Sequence, residues 1–305
     1  MNTLLKNILH IETCSGEETM MRKFIVEHCQ KSNFVVSTDE FGNVYVTKGK
    51  ADSFPCYASH MDTVHPISGD GIALVSLGDN VTGFNPVTMR QTGVGGDDKC
   101  GVYCSLRCLD GLPACKAVFF SAEETGCHGS GACDLSFFTD CRFIVSADRR
   151  GNDDFVTDIA GPLSSKQFLT DVKPILKKYG FKHSAGAMAD VMELRNRDVG
   201  VSVANISAGY YNPHQDAEFI NLSDLENSLS LMLAMGREMK AVYPFKREKV
   251  KPATKPHTWK EWSESSTDNG FDDWTPRASQ IIDRQDYYRN GFSDDEIDEI
   301  IRHGL

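Results

Sequence analysis

Five times in this 305-residue chain, an apolar run or a glycine turn gives way to acidic or metal-competent side chains. "CYASHMD" closes on His60 and Asp62, "VFFSAEETG" on Glu123 and Glu124, and "FIVSAD" on Asp148. The turn "GVGGDDKCG" places Asp97 and Asp98 before the segment "GVYCSLRCL", and "NPHQD" places His214 after the apolar run "VGVSVANIS". Glutamate is a poor last residue for a buried strand. In open α/β sheets, however, ligands sit beyond the carboxyl ends of the strands. A fold that gathers several strand ends at one edge is therefore the fold this pattern asks for.

The rest of the chain fits that demand. Strand-like runs alternate with helical ones, which predicts an α/β domain with a mostly parallel central sheet flanked by helices. Ser15 and Glu18 have capping-box spacing ahead of a helix expected to reach Gln30. "FVVSTDEFGNVYVTKG" reads as two short strands about a Phe-Gly-Asn turn. "SSKQFLTDVKPILKKYG" reads as a helix interrupted or kinked near Pro174. Ser223 with Glu226 predicts the cap of a long helix towards Met239. After Pro244 the chain becomes charged and loses periodicity, and all three tryptophans, Trp259, Trp262 and Trp274, lie beyond that point. Ser293 and Glu296 mark a short last helix carrying Ile297, Ile300 and Ile301. The expected organisation is a catalytic-type domain over 1–245 and a charged linker with a short C-terminal helical tail over 246–305.

Composition removes several classes of function. A formal net charge of -11 argues against nucleic acid, whose phosphates need clustered Lys and Arg. No run approaches the ~18 apolar residues of a membrane span. The N-terminus turns acidic too early for a secretory signal, so a cytoplasmic protein is expected. Its ten cysteines lie between Cys14 and Cys141 without a CxxC pair. Cys100, Cys104 and Cys108 share one face of a helix and read as buried thiols in a reducing compartment.

Taken singly, each acidic strand end is ordinary. A His-x-Asp is usually a turn, and an Asp-Asp before a helix is often only a cap. Together they predict a metal site. Two imidazoles with several carboxylates suit zinc, cobalt or manganese better than calcium. The ligands are too many for one tetrahedral ion, but two ions about 3.5–4 Å apart sharing one carboxylate would use them. Adjacent residues at a strand end point in different directions. One glutamate can thus hold a metal while its neighbour faces the reacting water.

The ordered series "HMD", "GGDDKCG", "EETG", "SAD" and "NPHQDAEF" resembles the co-catalytic dizinc exopeptidases. Within them it is most similar to the peptidase T (tripeptide aminopeptidase) family, over roughly residues 12–239. The resemblance implies two divalent ions, zinc with cobalt or manganese as alternatives. His60 and Asp148 would bind one, Glu124 and His214 the other, and Asp97 would bridge them. Asp62 would orient His60, Glu123 would be the general base acting on a zinc-activated water, and the Asp97–Asp98 peptide would be cis. His214 follows Asp148 too closely for the separate lid or dimerisation domain that peptidase T inserts there. The expectation is a single catalytic domain without a lid, with the oligomeric state left open. The implied activity is aminopeptidase or tripeptidase action on short peptides. A deacylase, dipeptidase or carboxypeptidase of the same clan is the alternative, and an inactive binding module on that fold the rival of another class. Candidate substrate contacts are Arg149 or Arg150 for a carboxylate, Asp190 for an α-ammonium, and Tyr211, with Tyr210, as pocket wall. The bland alternatives are salt bridges from the arginines to Asp153 or Asp154, and simple packing for the tyrosines.

Overall fold

The computed structural model describes residues 1–247. The Ser293–Glu296 cap, the last helix and the three tryptophans lie outside the described residues. Helices α1 (Thr3–Leu9) and α2 (Thr19–Lys31) open the chain. There follow β1 (Val35–Thr38), β2 (Val44–Lys48), β3 (Phe54–His60), β4 (Ala73–Leu77), β5 (Asn80–Phe84) and β6 (Gln91–Thr92). Next come α3 (Gly96–Gly111), β7 (Cys115–Phe120), α4 (His128–Ala132), β8 (Cys141–Arg149) and β9 (Asp154–Asp158). The remainder is α5 (Lys166–Tyr179), β10 (Lys182–Ala185), α6 (Asp190–Asn196), β11 (Val203–Ser207), β12 (Tyr210–Tyr211), β13 (Phe219–Asn221) and α7 (Leu222–Glu238).

The main sheet has eight strands in the order β1-β2-β7-β3-β8-β11-β9-β10. Its centre, β7-β3-β8-β11, is parallel. The pairs β1–β2, β2–β7 and β11–β9 are antiparallel. The expected mostly parallel α/β sheet is thus present, with antiparallel margins. Every residue of β3 is buried, as a central strand covered on both faces must be. Tyr57 enters one apolar cluster with α1, α3, α5 and α7, and its hydroxyl donates to the Met232 carbonyl at 2.9 Å. Cys56 and Ala58 enter the other, with Val191 and Leu194 of α6.

A second sheet, not anticipated from the sequence, has the order β12-β13-β5-β4, with β6 paired to β5. Between Asp148 and His214, strands β9, β10 and β11 all belong to the main sheet, so that interval holds no separate lid domain.

Three local expectations need correction. Ser15 does not cap α2, because its hydroxyl is drawn away to the Asp62 carboxylate at 2.7 Å, and Glu18 caps the helix by backbone position alone. At α7 the cap is Asn221, whose Oδ1 accepts from the Asp224 N–H, while Ser223 donates to Asp79 and Glu226 accepts from Tyr103. Helix α5 runs unbroken past Pro174, held by its buried face of Phe168, Val172, Ile175 and Leu176. Cys100, Cys104 and Cys108 do line the buried face of α3 as free thiols, and burial pushes all three well above the usual thiol range. No helix among the described residues is long and apolar enough to cross a membrane.

Candidate active site

Register brings the strand ends together. His60 of β3 lies opposite Phe120 of β7, so the chain leaves β7 for Glu123 and Glu124 just beyond the imidazole. On the other flank β8 pairs in parallel with β3 and carries Asp148 near its end. Asp97, in the non-helical opening of α3, lies at the same edge, and the Asp97–Asp98 peptide is cis, as the resemblance implied. His214 arrives from the second sheet, in the loop between β12 and β13.

The side chains converge. His60 Nε2 lies 3.2 Å from Asp97 Oδ1, 3.5 Å from Asp148 Oδ1 and 3.8 Å from Glu123 Oε2. His214 Nε2 lies 3.4 Å from Asp97 Oδ2 and 3.1 Å from Glu124 Oε2. Asp97 therefore faces one imidazole with each oxygen. The donor atoms of His60, Asp97 and Glu124 lie within 4.8 Å of one another, and so do those of His60, Asp98 and Asp148. Asp98 also supports the backbone at this edge. Its Oδ2 accepts from the His60 N–H and its Oδ1 from the Gly101 N–H.

Asp62 lies against His60 Nδ1 with both its backbone carbonyl, at 3.0 Å, and its carboxylate. It is fully buried, and Oδ1 sits 3.3 Å from His60 Nδ1. The two backbone N–H groups of Glu123 and Glu124 donate to its two oxygens at 3.1 and 3.2 Å, and Ser15 adds a third donor. One carboxylate thus sets both an imidazole and the paired glutamates. Burial works against its charge, but bonds to His60, Ser15 and the Glu123 N–H hold it below the usual range. Glu18, also buried, accepts from the Ala122 N–H and fixes the same turn. Asn205 clamps Asp148 by accepting from its N–H and donating to its carbonyl.

The electrostatics describe a cluster short of positive charge. Burial pushes Glu123 well above its usual range; His60 opposes this, while Asp148, Asp190 and Glu124 add to it. Burial likewise lifts Asp148 to about 7, against the pull of His60. His214 pays for burial but is carried up to about 11 by Asp97 and Glu124. One oxygen, Glu124 Oε1, is buried with no hydrogen-bond partner. A buried acceptor of that kind is rare. Crowded carboxylates, two imidazoles and an orphaned oxygen are the donor chemistry that suits divalent metal ions.

The candidate substrate residues divide. Asp190 lies at the start of α6, 3% exposed, and accepts from Ser130 Oγ at 2.6 Å. Burial lifts its carboxyl to about 7. Arg149 Nε pairs with Asp154 at 3.0 Å, the salt bridge weighed against its substrate role, and Arg150 is half-buried. Tyr211 donates to Asp224 and stacks on Phe219, and Tyr210 is buried. Sequence reasoning missed Ser15, Glu18, Asn205 and the fully buried Glu218, which holds the Asp97 turn. The one available signal was for Glu218, an acid set against the apolar "FI" so soon after His214.

Comparison with known proteins bears on the fold. No family profile matches the sequence, and no curated protein matches it. Solved structures do match the fold. Aminopeptidase PepT from Bacillus cereus superposes with a TM-score of 0.65 at 14% identity, over 77% of this chain and 96% of that one. A tripeptidase from Staphylococcus aureus gives 0.61 at 14%, over 77% and 97%. An aminopeptidase from the archaeon Desulfurococcus kamchatkensis gives 0.61 at 16%, over 78% and 94%. The chain has the fold of these aminopeptidases and tripeptidases, the kind of enzyme its motifs resemble. At these identities the likeness is one of fold, and activity has to be argued from the site.

Proposed function

We propose that the chain is a dimetal exopeptidase that removes the N-terminal residue of short peptides. The observation that carries the reading is Asp97, which faces His60 with one oxygen and His214 with the other, beside the unpartnered Glu124 Oε1. His60 and Asp148 would hold one ion, Glu124 and His214 the other, and Asp97 both. Zinc fits this set, with cobalt or manganese as substitutes. Ions bound there supply Lewis-acid polarisation of the peptide carbonyl and acidification of water.

The chain's own groups do the rest. Glu123, left over by the donor set, takes the proton of the attacking water at its carboxylate and returns it to the leaving amine. A proton affinity raised by burial suits a group that must both accept and release. Asp62 keeps His60 in one orientation and fixes the turn that separates Glu123 from Glu124. Asp190 lends the negative field that an α-ammonium would meet. The free state of all ten thiols supports a reducing, cytoplasmic setting.

The test is a panel of di-, tri- and tetrapeptides with each end blocked in turn, with products read by mass spectrometry. Acetylating the N-terminus is expected to slow cleavage at least tenfold, since an unpaired buried partner costs roughly 1–3 kcal/mol. Loss of cleavage only on blocking the C-terminus would give the site to a carboxypeptidase, a reading the Arg149–Asp154 pair does not favour. Cleavage of acylated amino acids alone would point to a deacylase. Purified protein holding no metal would leave an inactive binding module.

The proposed chemistry lies wholly within the domain placed at 1–245. A chain ending at Arg247 is expected to keep its metal content and its turnover of a tripeptide. Metals retained with turnover lost would assign the remaining residues a part in the active site.

A further inference from the structure

Glu218 lies in the same loop as His214, and its carboxylate is fully buried. Burying a charge is costly unless it is paired and hydrogen-bonded. Three groups meet this one. The Gly95 N–H donates to Oε2 at 2.6 Å, the Asp97 N–H to Oε1 at 3.0 Å, and His65 Nε2 lies 3.0 Å from Oε2. The Gly95 and Asp97 N–H groups of the "GGDD" turn thus close around a carboxylate from more than a hundred residues further along the chain, an anion-binding use of clustered backbone amides.

The glycines make that approach possible. Gly95 has φ +68°, where side chains are strained. A Cβ on Gly96 would lie 2.6 Å from Tyr210 Cβ and 3.3 Å from Glu218 Oε1. Lys99 of the same turn is buried, and its Nζ donates to the Val94 and Leu9 carbonyls at 3.4 and 3.5 Å. The Glu218 carbonyl accepts from Thr82 Oγ1 of β5 at 3.1 Å, which ties the residue to the small sheet.

We infer that Glu218 is a positioning residue that fixes the Asp97 backbone, and so aims the Asp97 carboxylate between His60 and His214. The inference rests on the dimetal reading above. Glu218 touches neither imidazole of the site and acts only through the 95–97 turn. Glutamine cannot replace it. Its single oxygen serves one side of the turn, and its NH₂ then confronts a donor on the other.

The experiment compares apo wild-type protein with Glu218→Gln by thermal melting, then titrates each with Co²⁺ followed by its visible absorption. Wild type is expected to take up two cobalt ions. Glu218→Gln is expected to melt as a folded protein yet bind at least one ion about 10–100-fold more weakly, the loss typical for an outer hydrogen-bond partner of a ligand. The visible bands of the bound cobalt should also shift, which a change in stability alone would not cause. Should Glu218→Gln fail to fold, His65→Gln decides. It keeps the charge and both backbone bonds, and a smaller loss in the same direction is expected. Cobalt affinities and spectra equal to wild type in the folded variant overturn the positioning role alone. Wild-type protein that binds no cobalt overturns the dimetal reading together with this inference.

Discussion

Glu123→Gln is expected to give a folded, metal-loaded protein whose turnover of a tripeptide falls by at least about 10²-fold, the lower end of what general acid–base catalysis contributes. The amide is nearly isosteric with the carboxylate but cannot take a proton from water. Glu123 is the side chain the donor set can spare. Its Oε2 stands off at 3.8 Å from His60 Nε2, and its Oε1 accepts only a Cys127 thiol at 3.4 Å. Burial, with repulsion from Asp148, Asp190 and Glu124, disfavours the Glu123 charge more than His60 favours it, so a neutral amide there should not lower stability. Metal content by elemental analysis, a thermal melt and kcat on one tripeptide complete the check. Wild-type kcat with two ions bound rules Glu123 out as the base.

Asp97→Ala is expected to have the opposite signature, with both metals lost or weakened and activity lost as a consequence. Each oxygen of Asp97 faces a different imidazole, so its removal takes a donor from both halves of the site. Weakening beyond about 100-fold is expected, because that is already the upper range for losing a mere outer partner of a ligand. Glu124→Gln should instead weaken only the half shared with His214. Equilibrium dialysis against zinc separates the cases. If Asp97→Ala retains one ion at wild-type affinity, Asp97 belongs to a single site and the bridging assignment is wrong.

Much of this arrangement was legible in the sequence because it sits where buried strands end. A fully buried run such as β3 can stop on His60 or Asp62 only if something receives them, and the same holds for β7 and β8. What was not legible depends on partners far away in the chain. Ser15 and Ser223 stand at capping distance, yet Asp62 and Asp79 claim their hydroxyls. The small sheet escaped because its strands lack an alternating apolar face. Leu77 of β4 is 83% exposed, and in β5 the alternation of apolar side chains is interrupted by Gly83. Glu218 could not be read as a support for Asp97 until the fold placed it against Gly95 and Asp97.

The small sheet divides the site along a seam. His60, Glu123, Glu124 and Asp148 hang from the main sheet, whereas His214 and Glu218 ride on the loop between β12 and β13. Native proteins open locally, element by element, before they unfold. A fluctuation that lifts β12–β13 would withdraw His214 and release the grip of Glu218 on the Asp97 turn in a single movement, leaving His60, Glu124 and Asp148 in place. The two halves of the site would then differ in lability, with a resident half built into the core and an exchangeable half that opens with the small sheet.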